Sequence, residues 1–182
     1  SAGTGVYADS TSDASIVHHM TLDSCLIGLK FRGSAHQDSV FNCTVDGENL
    51  AAGQGIVGTS GSAGTVATLV LKNNIFVNYN VTMIDTTPKT NTTFTITEQF
   101  NDWDSYGTLD GVTLSSTDIY FYPRFLIGNN DYRPRESAFR GYGTAWYGDP
   151  SVPPVGAWPV STTPLSNNSA SWTITARRWG TP

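Results

Sequence analysis

Apolar residues in this chain come in short runs, Ile16-Val17, Val40-Phe41, Leu69-Val70-Leu71 and Phe94-Thr95-Ile96 among them. Gly, Ser, Asn and Asp punctuate the runs. No stretch keeps the i, i+3, i+4, i+7 spacing of a buried helical face over three turns. Val, Ile, Thr and Phe suit the pleated, half-buried surface of a strand, and the punctuating residues suit turns. The pattern predicts an all-β chain.

The runs also recur in a fixed order. One group pairs a glycine with an aliphatic residue: Gly5-Val6, Gly28-Leu29 and Gly55-Ile56, with Val81-Thr82-Met83-Ile84 in the corresponding place. A second group contains Ile16 to Leu22, Val40 to Val45, Leu69 to Phe76, and Phe94 to Asn101. The two groups alternate with a period of roughly 23 to 30 residues, which marks a solenoid. Each coil then adds one strand to each of several parallel sheets, and equivalent side chains stack into aliphatic and Asn ladders. Ile16, Val40, Val70, Ile75 and Ile96 are the expected inward rungs. The Gly- and Ser-rich stretch at 58–64 carries nothing to bury and reads as a projecting loop.

Composition narrows the choices. The 182 residues fit one domain, charged residues make up only 14% and the net charge is −5. Such a chain has no electrostatic footprint for nucleic acid or an anionic membrane. No apolar run is long enough for a transmembrane helix. Six of the seven Arg follow residue 120, a distribution that suits surface ion pairs or a patch for acidic sugars. Cys25 and Cys43 read as small buried hydrophobes, with a disulfide left open. Sequons begin at Asn42, Asn80, Asn91 and Asn167, a number close to chance in a chain so rich in Ser and Thr.

Few motifs carry chemistry. Gly53-Gln54-Gly55-Ile56-Val57-Gly58 matches G-x-G-x-x-G. The next residues, Thr59-Ser60-Gly61-Ser62-Ala63-Gly64, cannot start the helix that a dinucleotide needs, so the motif reads as a structural turn. Asp102-Trp103-Asp104 begins a stretch that fails as an EF-hand, and a looser Ca²⁺ site from Asp102, Asp104 and Asp110 is the one metal candidate. His18 and His19 are adjacent in a strand-like run and are expected to point to opposite faces, which rules out one shared metal. Glu98 and Asp102, four apart, would share a face at roughly 13 Å if extended, too far for a glycosidase pair. No tightly bound cofactor is expected. Aromatics concentrate late: eleven of the 21 lie in residues 103–147. They suit either a cap over the last coil or sugar platforms built from Trp103, Tyr106, Tyr142 and Trp146.

Several segments resemble the right-handed, pectate-lyase-like parallel β-helix proteins of secreted bacterial proteins and phage spikes. Leu71-Lys72-Asn73-Asn74-Ile75-Phe76-Val77-Asn78 is similar to one of their coils, and Phe100-Asn101-Asp102-Trp103 to a variant near the last coils. Tyr122-Pro123-Arg124-Phe125, Asp131-Tyr132-Arg133-Pro134, Ser137-Ala138-Phe139 and Pro153-Pro154-Val155-Gly156-Ala157-Trp158 resemble their closing segment. Val155 and Tyr122 depart from it, each standing where an Asp is usual. The resemblance covers residues 1–158 and implies a right-handed parallel β-helix with an aromatic, Pro-rich C-terminal cap. Residues 159–182 lie outside it and read as an extended tail. Because residues 3–9 read as the middle of a coil, earlier coils or a partner subunit are expected to cover that end.

The resemblance implies two function classes. One is a non-catalytic structural or adhesive module of a virion or a secreted surface protein, contacting carbohydrate. The other is the C-terminal part of a polysaccharide lyase or glycoside hydrolase. Lyases of this fold use a basic residue with Ca²⁺ or Arg on the uronate, and no such set is visible, so the sequence favours the non-catalytic class. The location implied is extracellular, cell-surface or virion. A homo-oligomer or larger assembly is expected, with Trp172, Ile174 and Trp179 of the tail adding an edge strand across a neighbour.

Overall fold

In a computed structural model the chain is a parallel β-solenoid of about three turns. The structure describes residues 3–8, 15–32, 37–59, 65–86, 92–110, 112–123, 125–127, 131–134, 143–144 and 155–156, and among them there is no helix. The strands are β1 (Thr4–Ala8), β2 (Ile16–His18), β3 (Thr21–Asp23), β4 (Ile27–Arg32), β5 (Gln37–Phe41), β6 (Thr44–Asp46) and β7 (Gln54–Thr59). They continue with β8 (Thr65–Lys72), β9 (Ile75–Asp85), β10 (Thr92–Gln99), β11 (Asp102–Thr108), β12 (Phe125–Ile127) and β13 (Asp131–Pro134). The last two form an antiparallel pair.

Three parallel stacks build the wall. One runs β2-β5-β8-β10. A second runs β3-β6-β9-β11, and a third runs β1-β4-β7 and closes on the far half of β9. The long β9 thus joins two sheets. Ile16 sits on Ser39, Ser39 on Val70 and Val70 on Thr97, steps of 23, 31 and 27 residues. The glycine-aliphatic recurrence coincides with the register: Val6 pairs with Leu29, Leu29 with Ile56 and Ile56 with Ile84.

Side chains alternate along each strand, so one row of every stack fills the interior. The inward row of the first stack is Val17, Val40, Leu71 and Glu98; that of the second is Leu22, Val45, Phe76 and Trp103. Val40, as expected, is fully buried, and Ile96 packs partly against the core. Ile16 instead belongs to the outward row and is 56% exposed, and Val70, two rungs along the same row, is half-buried. Ile75 is fully buried, but under a cover on the outer face, where it packs with Val77, Val155, Ile119 and Phe125. Burial outside the barrel looks the same in sequence as burial within it.

Corners make this parity hard to read. His19, Asn42, Asn73 and Phe100 follow consecutive strands of the first stack, and all have positive φ, between 51° and 58°. A left-handed residue turns the chain sharply between sheets, and Asn tolerates that conformation best among the larger residues. Just beyond the corner an amide ladder forms. Asn74 Oδ1 accepts from Cys43 N at 2.9 Å, and Asn74 Nδ2 donates to Val40 O at 2.9 Å. Asn101 repeats the arrangement one coil on, accepting from Asn74 N at 3.0 Å and donating to Leu71 O at 3.2 Å.

A glycine row makes room for one large side chain. Tyr79 is fully buried, and its hydroxyl donates to Cys25 O at 3.2 Å. A Cβ on Gly28 would meet Tyr79 Oη at 2.9 Å, Gly55 O at 2.8 Å and Val45 Cγ1 at 2.6 Å. Gly28→Ala should therefore destabilise the fold by about 1–3 kcal/mol through overpacking. Gly3→Ala, where nothing lies within 4 Å, should change stability by less than about 0.5 kcal/mol. Equal denaturation midpoints for the two variants would remove this account of the row. The G-x-G-x-x-G motif lies largely in this same region: Gln54–Thr59 is strand β7, held by β4 and β9, and not the expected turn.

Both cysteines are free thiols. Burial pushes the Cys43 thiol up to about 12 and raises that of Cys25 as well. They behave as the small apolar residues expected of them.

Candidate functional site

The chemistry of the described residues gathers at the C-terminal end of the solenoid, where the inward rows run out. Glu98 occupies the last inward position of its row, stacked over Leu71. Asn101 follows at the corner, then Trp103 over Phe76. The two rings stack with centroids 4.5 Å apart and planes 14° apart. Residues 112–121 cross this end, and Ile119 forms a parallel bridge with Asp102. Ile119 N donates to Asn101 O at 2.9 Å and Trp103 N to Ile119 O at 3.0 Å.

Carboxyl groups fasten the crossing segment. Asp118 accepts from Asn101 N at 2.9 Å and from Trp103 Nε1 at 2.9 Å. Glu98 accepts from Ser115 N through one oxygen and from Asn101 Nδ2 at 3.4 Å through the other. Burial holds the Glu98 carboxyl well above its ordinary range, and its hydrogen bond to Asp118 raises it further. Two carboxyls that touch inside a protein need a proton between them. Asp102, fully buried on the outward row beside Ile75, accepts from Phe121 N at 2.8 Å. Its other oxygen is buried with no hydrogen-bond partner. Burial, with Asp104 and Asp118 nearby, pushes Asp102 up to about 8, so it is a neutral acid at pH 7.

The carboxylate geometry differs from an extended strand. Phe100 and Asn101 form a corner between Glu98 and Asp102, which therefore belong to different sheets and different faces. Asp110 is engaged elsewhere: it accepts from Thr86 N at 2.8 Å and from the Thr86 hydroxyl. Asp104 accepts from Ser105 Oγ at 2.9 Å. Among the described residues, no group of three or more His, Cys, Asp or Glu is placed to hold a metal ion, and this includes the Asp102, Asp104 and Asp110 set.

The aromatic candidates divide. Trp103 is 1% exposed and offers no face to a ligand, because the open end is closed by residues 112–121 and the ring completes the interior stack. Tyr106 is 38% exposed and lies beside Tyr120, 54% exposed, with ring centroids 6.2 Å apart and a tilt of 41°. Phe121 and Tyr122 are exposed next in the chain. Sequence reasoning missed Tyr120, whose surroundings carry no strand pattern. Tyr142, Trp146, Trp172, Ile174 and Trp179 lie outside the described residues.

The histidines also depart from expectation. Both are exposed, with ring centroids 5.3 Å apart, because the left-handed corner at His19 breaks the alternation of a strand.

Fold and surface together define a β-solenoid protein with an aromatic face at one end. Comparison with family models, curated proteins and solved structures returned no match.

Proposed function

We propose that this chain is a non-catalytic adhesive segment of a pectate-lyase-like β-helix, displayed on a virion or a secreted surface protein, and that it holds carbohydrate against Tyr106 and Tyr120. The observation that carries this reading is the exposed tyrosine pair at the end of the solenoid. A sugar ring offers a C–H face to an aromatic π cloud, and the phenol hydroxyl serves the sugar hydroxyls. A ring mounted on a stacked wall, as Tyr106 is on β11, loses little freedom on binding. Glu98, Asp102 and Asp118 have a structural part in this reading, since each accepts hydrogen bonds from backbone, amide or indole groups within the end rung. A low charge fraction agrees with a ligand recognised by stacking and hydroxyl contacts, with less reliance on ion pairs.

A glycan panel containing neutral and uronate oligosaccharides tests the reading, followed by calorimetry with the best binder. Tyr106→Ala combined with Tyr120→Ala should weaken binding at least about tenfold, equivalent to losing roughly 1.4 kcal/mol. Failure of the unaltered protein to bind any glycan in the panel would sink the proposal. Release of unsaturated products from a uronate polymer would favour a lyase in its place.

A further inference from the structure

The geometry points to a second site, independent of the tyrosines: an exposed two-histidine chelate at the first corner, for a divalent transition ion that prefers right-angled coordination, such as Cu²⁺ or Ni²⁺. His18 Nδ1 and His19 Nδ1 lie 3.0 Å apart. Two nitrogens bound at about 2.1 Å and at right angles are separated by about 3.0 Å, whereas tetrahedral ligands would stand about 3.4 Å apart. The spacing, that of a hydrogen-bonded pair, is close to the separation of neighbouring positions on a square or octahedral ion. Copper heads the affinity order for such nitrogen donors.

Adjacent residues in a regular strand cannot do this, since their side chains diverge. Here His18 ends β2 and His19 adopts φ 53°, which brings both rings to one side, edge to face at 90°. The backbone is held on either flank of the pair. His18 is in register with Phe41, His19 N donates to Phe41 O at 3.1 Å, and the next residue is fixed by Thr44 N donating to Met20 O at 2.9 Å. A donor pair placed by a sheet loses less freedom on chelation than one on a free loop.

In the metal-free protein the short contact requires one Nδ1–H to donate to the other Nδ1. On binding, that proton leaves the shared contact for solvent, and the ion sits to one side of the line between the two nitrogens. The remaining coordination positions go to water, or to a donor from another molecule.

Calorimetric titration of the intact protein with Cu²⁺ and with Ni²⁺ tests the site, and electron paramagnetic resonance of the copper form counts the coordinated nitrogens. His18→Ala and His19→Ala should each weaken binding at least about tenfold, since each removes a ligand. Both altered residues are exposed, and unchanged melting curves would verify that the variants fold. Two imidazole nitrogens on copper, lost with either of His18 and His19, support the assignment. Absence of binding, or loss with only one of the two, overturns it.

Discussion

Trp103→Ala should cost about 3–5 kcal/mol, among the largest losses a single truncation gives. The indole is almost wholly enclosed, and Phe76 would lose the ring stacked on it. The substitution would also strip the indole N–H from Asp118 Oδ2, leaving a carboxylate oxygen in the interior without its donor. An unsatisfied buried acceptor adds about 1–3 kcal/mol to the cost of the cavity. Trp103→Phe keeps a six-membered ring over Phe76 while removing the N–H and part of the indole volume. It should lose much less than the alanine variant. Chemical denaturation measures both, and a loss under about 1 kcal/mol for Trp103→Ala would place the last coil outside the cooperative core.

Raising the pH should weaken the protein well before strongly alkaline conditions are reached. Glu98 and Asp102 keep their protons in the folded chain, because burial opposes their charged forms. In the unfolded chain such groups ionise near pH 4. Between about pH 4 and the folded value of about 8 for Asp102, unfolding therefore releases protons, and stability falls as pH rises. Their contribution is complete below about pH 4 and lost as pH passes the folded value. Asp102→Asn cannot ionise and still presents an oxygen to Phe121 N, so it should flatten part of the slope. Glu98→Gln should flatten another part. Denaturation midpoints from about pH 5 to about pH 9 decide the matter: a level profile in the unaltered protein, or one unchanged in both variants, is the contrary result.

The repeating parts of the molecule are legible because a solenoid writes the same requirement many times. Gly5, Gly28 and Gly55 stand out as a recurrence, and their neighbours Val6, Leu29, Ile56 and Ile84 stack in register. Asn73 and Asn74 are legible as a coil motif, and they sit at the corner and in the ladder. Side-chain parity is not legible. A left-handed residue at each corner resets the alternation, so Ile16 and Val70 read as inward when the adjacent residues are. The end of the molecule is least legible. Nothing in the sequence marks Glu98 as an interior residue; only register puts it over Leu71. Residues 112–121 close the end through backbone bonds and carboxyls, and leave no apolar period to detect.

The amide ladder has a direction. An Asn side chain carries both a donor and an acceptor, so it can serve an N–H and a carbonyl of the coil behind it at once. Asn74 and Asn101 do so in succession. At the next step stands Asp118, which accepts from Asn101 N and, through its second oxygen, from Trp103. A carboxyl group has no N–H to offer, so it makes no counterpart to the bonds that Asn74 Nδ2 and Asn101 Nδ2 give to carbonyls. The series therefore changes at Asp118: the final member receives hydrogen bonds from the coil behind it and returns none. An acid in place of an amide thus ends the two-way amide ladder at Asp118.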